Sequence, residues 1–445
     1  MIRIIKKQSV YQKETEGYKI MGNLPPYKKN DRFSPRQKST LFFCFLAYVI
    51  TYLVRVNISV ALPFMALEVG MSTTTQGFLS GAFLWCYALG QFLFGRLGDK
   101  ISGKPLIFIG LLGSAFCNLT LGLLSNHTAM IFTWALNGIF QSMIWSPLVH
   151  TLSVNFQGKK LIRATAFMPF AIVMGYMLAW GLSSIYSMYF SWRTIFIIPA
   201  IVAFAFCFLF AVFFKEKEKS KSPRYINQDI NIENAEYQNQ NKYKSVKQNK
   251  TVLIAIIFAL ACAVTHGMIR ESINYWFPTL LSGMKEMSPW MSVFVLMTVP
   301  IINFFGTLVS RFLIKRTKNN IFRDIIILSA AALIFSLITV ISLRFGEIPL
   351  IIFTVILLGT MFGITPLFTS FIPLHFSEYN LVGTMAGMTD AFIYFGAAFS
   401  NMLTGNLIEN GGWSSVCVYW AGTAAAAFIL IIICNKIKTK TDLKI

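Results

Sequence analysis

The sequence predicts an all-α membrane protein of twelve transmembrane helices in two pseudo-symmetric six-helix halves. Three observations carry this. Twelve apolar runs lie between about residues 39 and 434, each near the ~20 residues that a helix needs to cross a bilayer core of about 30 Å. The runs fall six and six about a polar stretch, 215–250, dominated by Lys, Asn, Gln and Glu. The halves also echo each other: Arg55 stands inside one apolar run with Pro63 eight positions on, and Arg270 inside another with Pro278 eight positions on.

The runs cover roughly 39–65, 75–97, 105–124, 129–156, 163–187, 194–214, 251–281, 290–314, 322–343, 349–376, 380–407 and 414–434. This divides the chain into a tail at 1–38, one half at 39–214, a linker at 215–250, a second half at 251–434 and a tail at 435–445. A 55 % hydrophobic chain with 13 % charged residues is not a soluble domain. Its net charge of +21 does not point to nucleic acid either. Of 39 Lys and Arg, all but Arg55, Arg270, Arg193, Lys285 and Arg344 fall on one side of the expected topology. The positive-inside rule then places both termini and the linker in the cytoplasm, in a cell (plasma or inner) membrane, with basic flanks near lipid headgroups. No signal peptide is visible. The seven cysteines all lie in apolar runs without metal-ligand spacing and read as small core residues. Trp192 and Trp413, at run ends, read as interface anchors.

A mid-membrane arginine costs at least ~2.5–3.5 kcal/mol on insertion scales, so an anionic partner is expected. The ionisable residues at depth are Arg55, Arg270, Glu271, Asp390, His266 and, nearer the cytoplasmic end, His150. His266 lies four residues before Arg270 and can share its helix face. Both histidines read first as hydrogen-bonding helix contacts. Glu271 is turned about 100° from Arg270 and is expected to pair with a neighbouring helix. Tyr48, Tyr52 and Arg55 have helical spacing and form one stripe; Tyr87, Gln91, Trp145 and Tyr275 complete the candidate lining. The loop Gly95-Arg96-Leu97-Gly98-Asp99-Lys100 offers a charged hinge in which Asp99 could latch two states.

That loop resembles the cytoplasmic signature of the major facilitator superfamily. Tyr52-Leu53-Val54-Arg55-Val56-Asn57, Gln141 to Pro147, and Arg270 ahead of Tyr275-Trp276-Phe277-Pro278 resemble the organophosphate:phosphate antiporter family. The resemblance implies the superfamily's fold and a phosphate held by Arg55 and Arg270. Two guanidinium forks suit a phosphate bidentately. The sequence departs from the family at Val56, Gln91 and Ala171, where basic residues are expected, and at Asp390, where an uncharged one is.

The implied function is a secondary transporter that exchanges a small organophosphate, anionic or zwitterionic, for phosphate. A proton-coupled symporter, with Asp390 or Glu271 titrating, and a transporter-like sensor are the alternatives. No phosphate-binding loop, metal cluster or nucleophilic triad appears, so neither an enzyme nor a cofactor is expected.

Overall fold

The computed structural model describes residues 32–98, 103–215, 250–284, 287–317, 320–374 and 382–440, and among these it is helical without strands. Asp99, most of the linker, most of the N-terminal tail and residues 441–445 lie outside the described residues.

The first half is built from Pro35–Leu53 with Asn57–Val69, then Thr73–Gly98, Gly103–Leu123, His127–Ser142 with Trp145–Asn155, Gly158–Ala166 with Met168–Tyr189, and Thr194–Phe213. The second half follows as Lys250–Ser282, Pro289–Arg316, Ile321–Ser342, Glu347–Pro366 and Val382–Lys440. After Pro366 the tenth segment loosens into a π-turn over Leu367–Phe371. The last element folds back at Gly412, whose φ of 66° favours glycine, and so supplies two segments, 382–411 and 413–440. Among the described residues, ten stretches are each long and apolar enough to cross a membrane. The fourth segment is excluded from that set because it is broken at Met143–Ile144, and the last two run together. Among the described residues, the expected apolar runs fall mainly on helix.

Helix ends at the membrane faces are closed by basic side chains. Lys104 Nζ donates to the carbonyls of Ala211 (2.8 Å) and Phe214 (2.6 Å), the last turn of the sixth segment. At the opposite end Arg193 donates to the carbonyls of Gly122 (3.0 Å) and Leu124 (2.8 Å). Trp192 is not an interface anchor. It is 1 % exposed and its indole N–H donates to Glu68 at 2.8 Å, because the turn before the sixth segment folds inward over the first.

Glycine sets how closely the segments approach. A Cβ on Gly267 would strike the carbonyl of Ile393, and one on Gly396 the carbonyl of Val264, so the seventh and eleventh segments meet backbone to backbone. The same contact joins the two halves. A Cβ on Gly77 would lie 2.7 Å from Asn401 O, and one on Gly405 would strike Thr73 O. At this end Asn401 Nδ2 donates to Ser80 Oγ (2.9 Å), and Glu409 Oε2 accepts from the backbone N–H of Thr74 (2.9 Å). The halves are therefore sealed at the end carrying the turns 70–72 and 411–412, the end that the charge pattern assigns to the outside.

Candidate functional site

The site begins at a helix break. Between Leu53 and Asn57 the helix is interrupted: the N–H groups of Val54 and Val56 still donate to the carbonyls of Ile50 and Tyr52 (both 3.0 Å), but residues 54–56 belong to neither helix. The freed carbonyl of Val54 accepts hydrogen bonds from Asn118 Nδ2 (2.8 Å), Asn137 Nδ2 (3.2 Å) and Gln141 Nε2 (3.3 Å). Asn57 Nδ2 in turn donates to Asn118 Oδ1 and to the carbonyl of Ile195, both at 2.9 Å. All four amide side chains are at most 1 % exposed. A buried carbonyl left unpaired costs about 1–3 kcal/mol, so this cluster makes the break tolerable and fixes where Arg55 emerges.

Arg55 has no carboxylate within ion-pair distance among the described residues. Its guanidinium carbon lies over aromatic rings instead: Tyr87 at 4.4 Å, Phe83 and Tyr394 at 5.3 Å, and Tyr52 at 5.8 Å from the centroids. Gln91 Nε2 donates to the Tyr87 hydroxyl at 2.7 Å. Tyr48 stacks on Trp145 (4.7 Å) and meets Tyr52 edge-on (5.2 Å). Five of the expected lining residues, Tyr48, Tyr52, Tyr87, Gln91 and Trp145, thus gather around Arg55. Tyr275 lies on the wall of a small cavity between the halves that Arg55, Ser59, Glu271 and Asn274 also line.

Arg270 arrives from the seventh segment with a different partner set. Its Nε and Nη2 both donate to Glu271 Oε1, at 2.9 and 2.6 Å, and its Nη1 to Thr365 Oγ1 at 3.1 Å. The expectation that Glu271 pairs with a neighbouring helix is corrected. Both side chains are long enough to close the angular gap, and Glu271 pairs with its own neighbour while also lining the cavity. His266 Nε2 lies 3.1 Å from the same Thr365 hydroxyl, which links it to Arg270 through one shared group.

Asp390 is half-buried, within electrostatic reach of Arg270 and Arg55, and takes part in no hydrogen bond or ion pair among the described residues. His150 stands apart, on the inner piece of the fourth segment, with its Nδ1 buried and unpartnered. Sequence reading missed Thr365, the amide cluster, and the Asn274–Tyr176 hydrogen bond (2.6 Å) that crosses between the halves. Asparagines within apolar runs were the available signal, since each needs a partner there.

A family model described as Major Facilitator Superfamily matches residues 44–400. The chain belongs to the Major Facilitator Superfamily. Among solved members of this fold, the nucleoside transporter NupG superposes with a TM-score of 0.66 at 15 % identity, covering 91 % of this chain and 100 % of that one. This likeness shows the superfamily fold alone. The glycerol-3-phosphate transporter of Bacillus subtilis (strain 168) is 27 % identical over 262 residues, 55 % of this chain and 57 % of the relative. A probable hexose phosphate transport protein of Chlamydia trachomatis is 22 % identical over 409 residues, 87 % of this chain and 88 % of that one. The match to the first relative thus spans less than three fifths of its length. Superfamily membership and the apolar helices make the protein an integral membrane protein.

Proposed function

We propose that this protein is a secondary transporter that moves a small organophosphate or related organic anion in exchange for phosphate, the two halves rocking about a shared site. One observation carries the reading. Arg55 from the first half and the Arg270–Glu271 pair from the second flank one cavity, with Glu271 and Arg55 on its wall. Arg55, ringed by aromatic side chains and without an ion pair among the described residues, is suited to an anionic ligand. The seal between the Thr73–Gly98 and Val382–Lys440 helices supplies one closed end, as alternating access requires. The names of the relatives, a glycerol-3-phosphate transporter and a hexose phosphate transport protein, support the substrate class. The test is counterflow in proteoliposomes. Vesicles loaded with phosphate should accumulate labelled glycerol phosphate or hexose phosphate, and unloaded vesicles should not. Proton symport is the second reading, favoured by the unpartnered Asp390 carboxylate. It predicts accumulation in unloaded vesicles under an inward proton gradient.

A further inference from the structure

Arg55 and Arg270 are not equivalent in this site. Arg270 spends its side-on edge, Nε and Nη2, on Glu271, and one Nη1 hydrogen on Thr365. The pair is buried, the two side chains being 7 % and 14 % exposed, so its mutual neutralisation is only weakly screened. Arg55 carries no such partner, and its rings are neutral. Asp390 stands in electrostatic reach of both arginines without a counter-ion of its own. The charge left to meet a ligand is therefore one guanidinium, Arg55, with a carboxylate opposing any surplus negative charge.

We infer that Glu271 is a specificity-determining residue: by reserving Arg270 as its own partner, it selects substrates whose headgroup bears one negative charge over phosphate monoesters that bear two. The assignment rests on the anion-transport reading and narrows it. A doubly charged phosphate would need both forks, and to reach Arg270 side-on it would have to displace Glu271 into the same cavity. A singly charged headgroup, whether a phosphodiester, a carboxylate or the anionic end of a zwitterion, is satisfied by Arg55 alone and leaves the buried pair intact. The basic residues expected at Val56, Gln91 and Ala171 are absent, so no other cation in these positions makes up the difference.

The experiment uses the full chain, purified in detergent, with two matched probes: glycerol phosphate, doubly charged at pH 8, and its methyl diester, singly charged at every pH above 3. Binding is measured by titration calorimetry. The native protein should bind the diester more tightly. Glu271→Gln frees the Arg270 fork and should move the preference towards the monoester by about tenfold or more, the worth of a charge-assisted pair. If the glutamine variant does not fold, Glu271→Asp, which keeps the charge but draws it back by one methylene, should move the preference the same way by less. A native protein that prefers the doubly charged ester would overturn the assignment, as would an unchanged ratio in either folded variant. Binding of neither ester by native protein and variants would instead fault the anion-transport reading beneath it.

Discussion

Gly77→Ala separates the seal between the halves from the packing within them. The added methyl would lie 2.7 Å from Asn401 O, 3.1 Å from Met402 Cα and 3.2 Å from Met402 O. All three are backbone atoms of a helix in the other half, so no side-chain rotation relieves the clash. Overpacking of this kind costs about 1–3 kcal/mol. Here the cost falls only on the state in which the halves meet at this end. The equilibrium should therefore shift away from that state by about 5- to 150-fold, while each half keeps its fold. The assay places one cysteine at Ser80, 1 % exposed at the seal, in a background without the seven native cysteines, and follows its labelling by a membrane-impermeant thiol reagent applied from outside. Labelling should accelerate in Gly77→Ala. Gly396→Ala, whose methyl would meet Val264 O within the second half, should lower the melting temperature without speeding labelling. Native-rate labelling of Ser80→Cys in a Gly77→Ala protein that still transports would refute the seal.

Arg55→Lys keeps the charge but loses the planar fork and its stacking between rings, and should weaken anion binding about 10- to 100-fold with normal membrane insertion, read by titration calorimetry and surface labelling. Asp390→Asn should retain phosphate counterflow while uptake of zwitterionic substrates falls; equal uptake of every substrate would leave Asp390 a packing residue. Glu409 stands exposed at the end of its helix, and hydrogen bonds from Thr74 hold its carboxyl below the usual glutamate range. A lowered value means that its contribution to the seal is complete above that range and is lost as pH falls through the lowered value. External acid in that window should speed Ser80→Cys labelling, and Glu409→Gln should make labelling independent of pH.

The helices were legible because length and apolarity alone specify a membrane segment, and Arg55 and Arg270 stood out because a cation at that depth demands a partner. The break at Val54–Val56 was not legible. No glycine or proline marks it; it is set by amides 64 to 87 residues away in sequence, Asn118, Asn137 and Gln141. Glu271 was misjudged for a related reason. A rule of 100° per residue places Cβ atoms, whereas four rotatable bonds on the arginine and three on the glutamate decide where the charges meet. Trp192 has the composition of an interface residue, and only the inward fold of its turn buries it. The turn at Gly412 falls between the runs 380–407 and 414–434 that the apolar pattern separates.

The interrupted first segment also shapes the electric field of the site through its main chain. The helix Asn57–Val69 starts directly after Arg55, and Val56 offers its first turn no side-chain cap. A helix start of this kind carries about half a positive elementary charge. Val56 and Ser59, at that start, line the cavity. The opposing dipole end, at the close of Pro35–Leu53, is taken up by the amides on the Val54 carbonyl. The break therefore works as a rectifier: its positive pole faces the cavity and its negative pole is spent in the core. That polarity belongs to the backbone rather than to the Arg55 side chain.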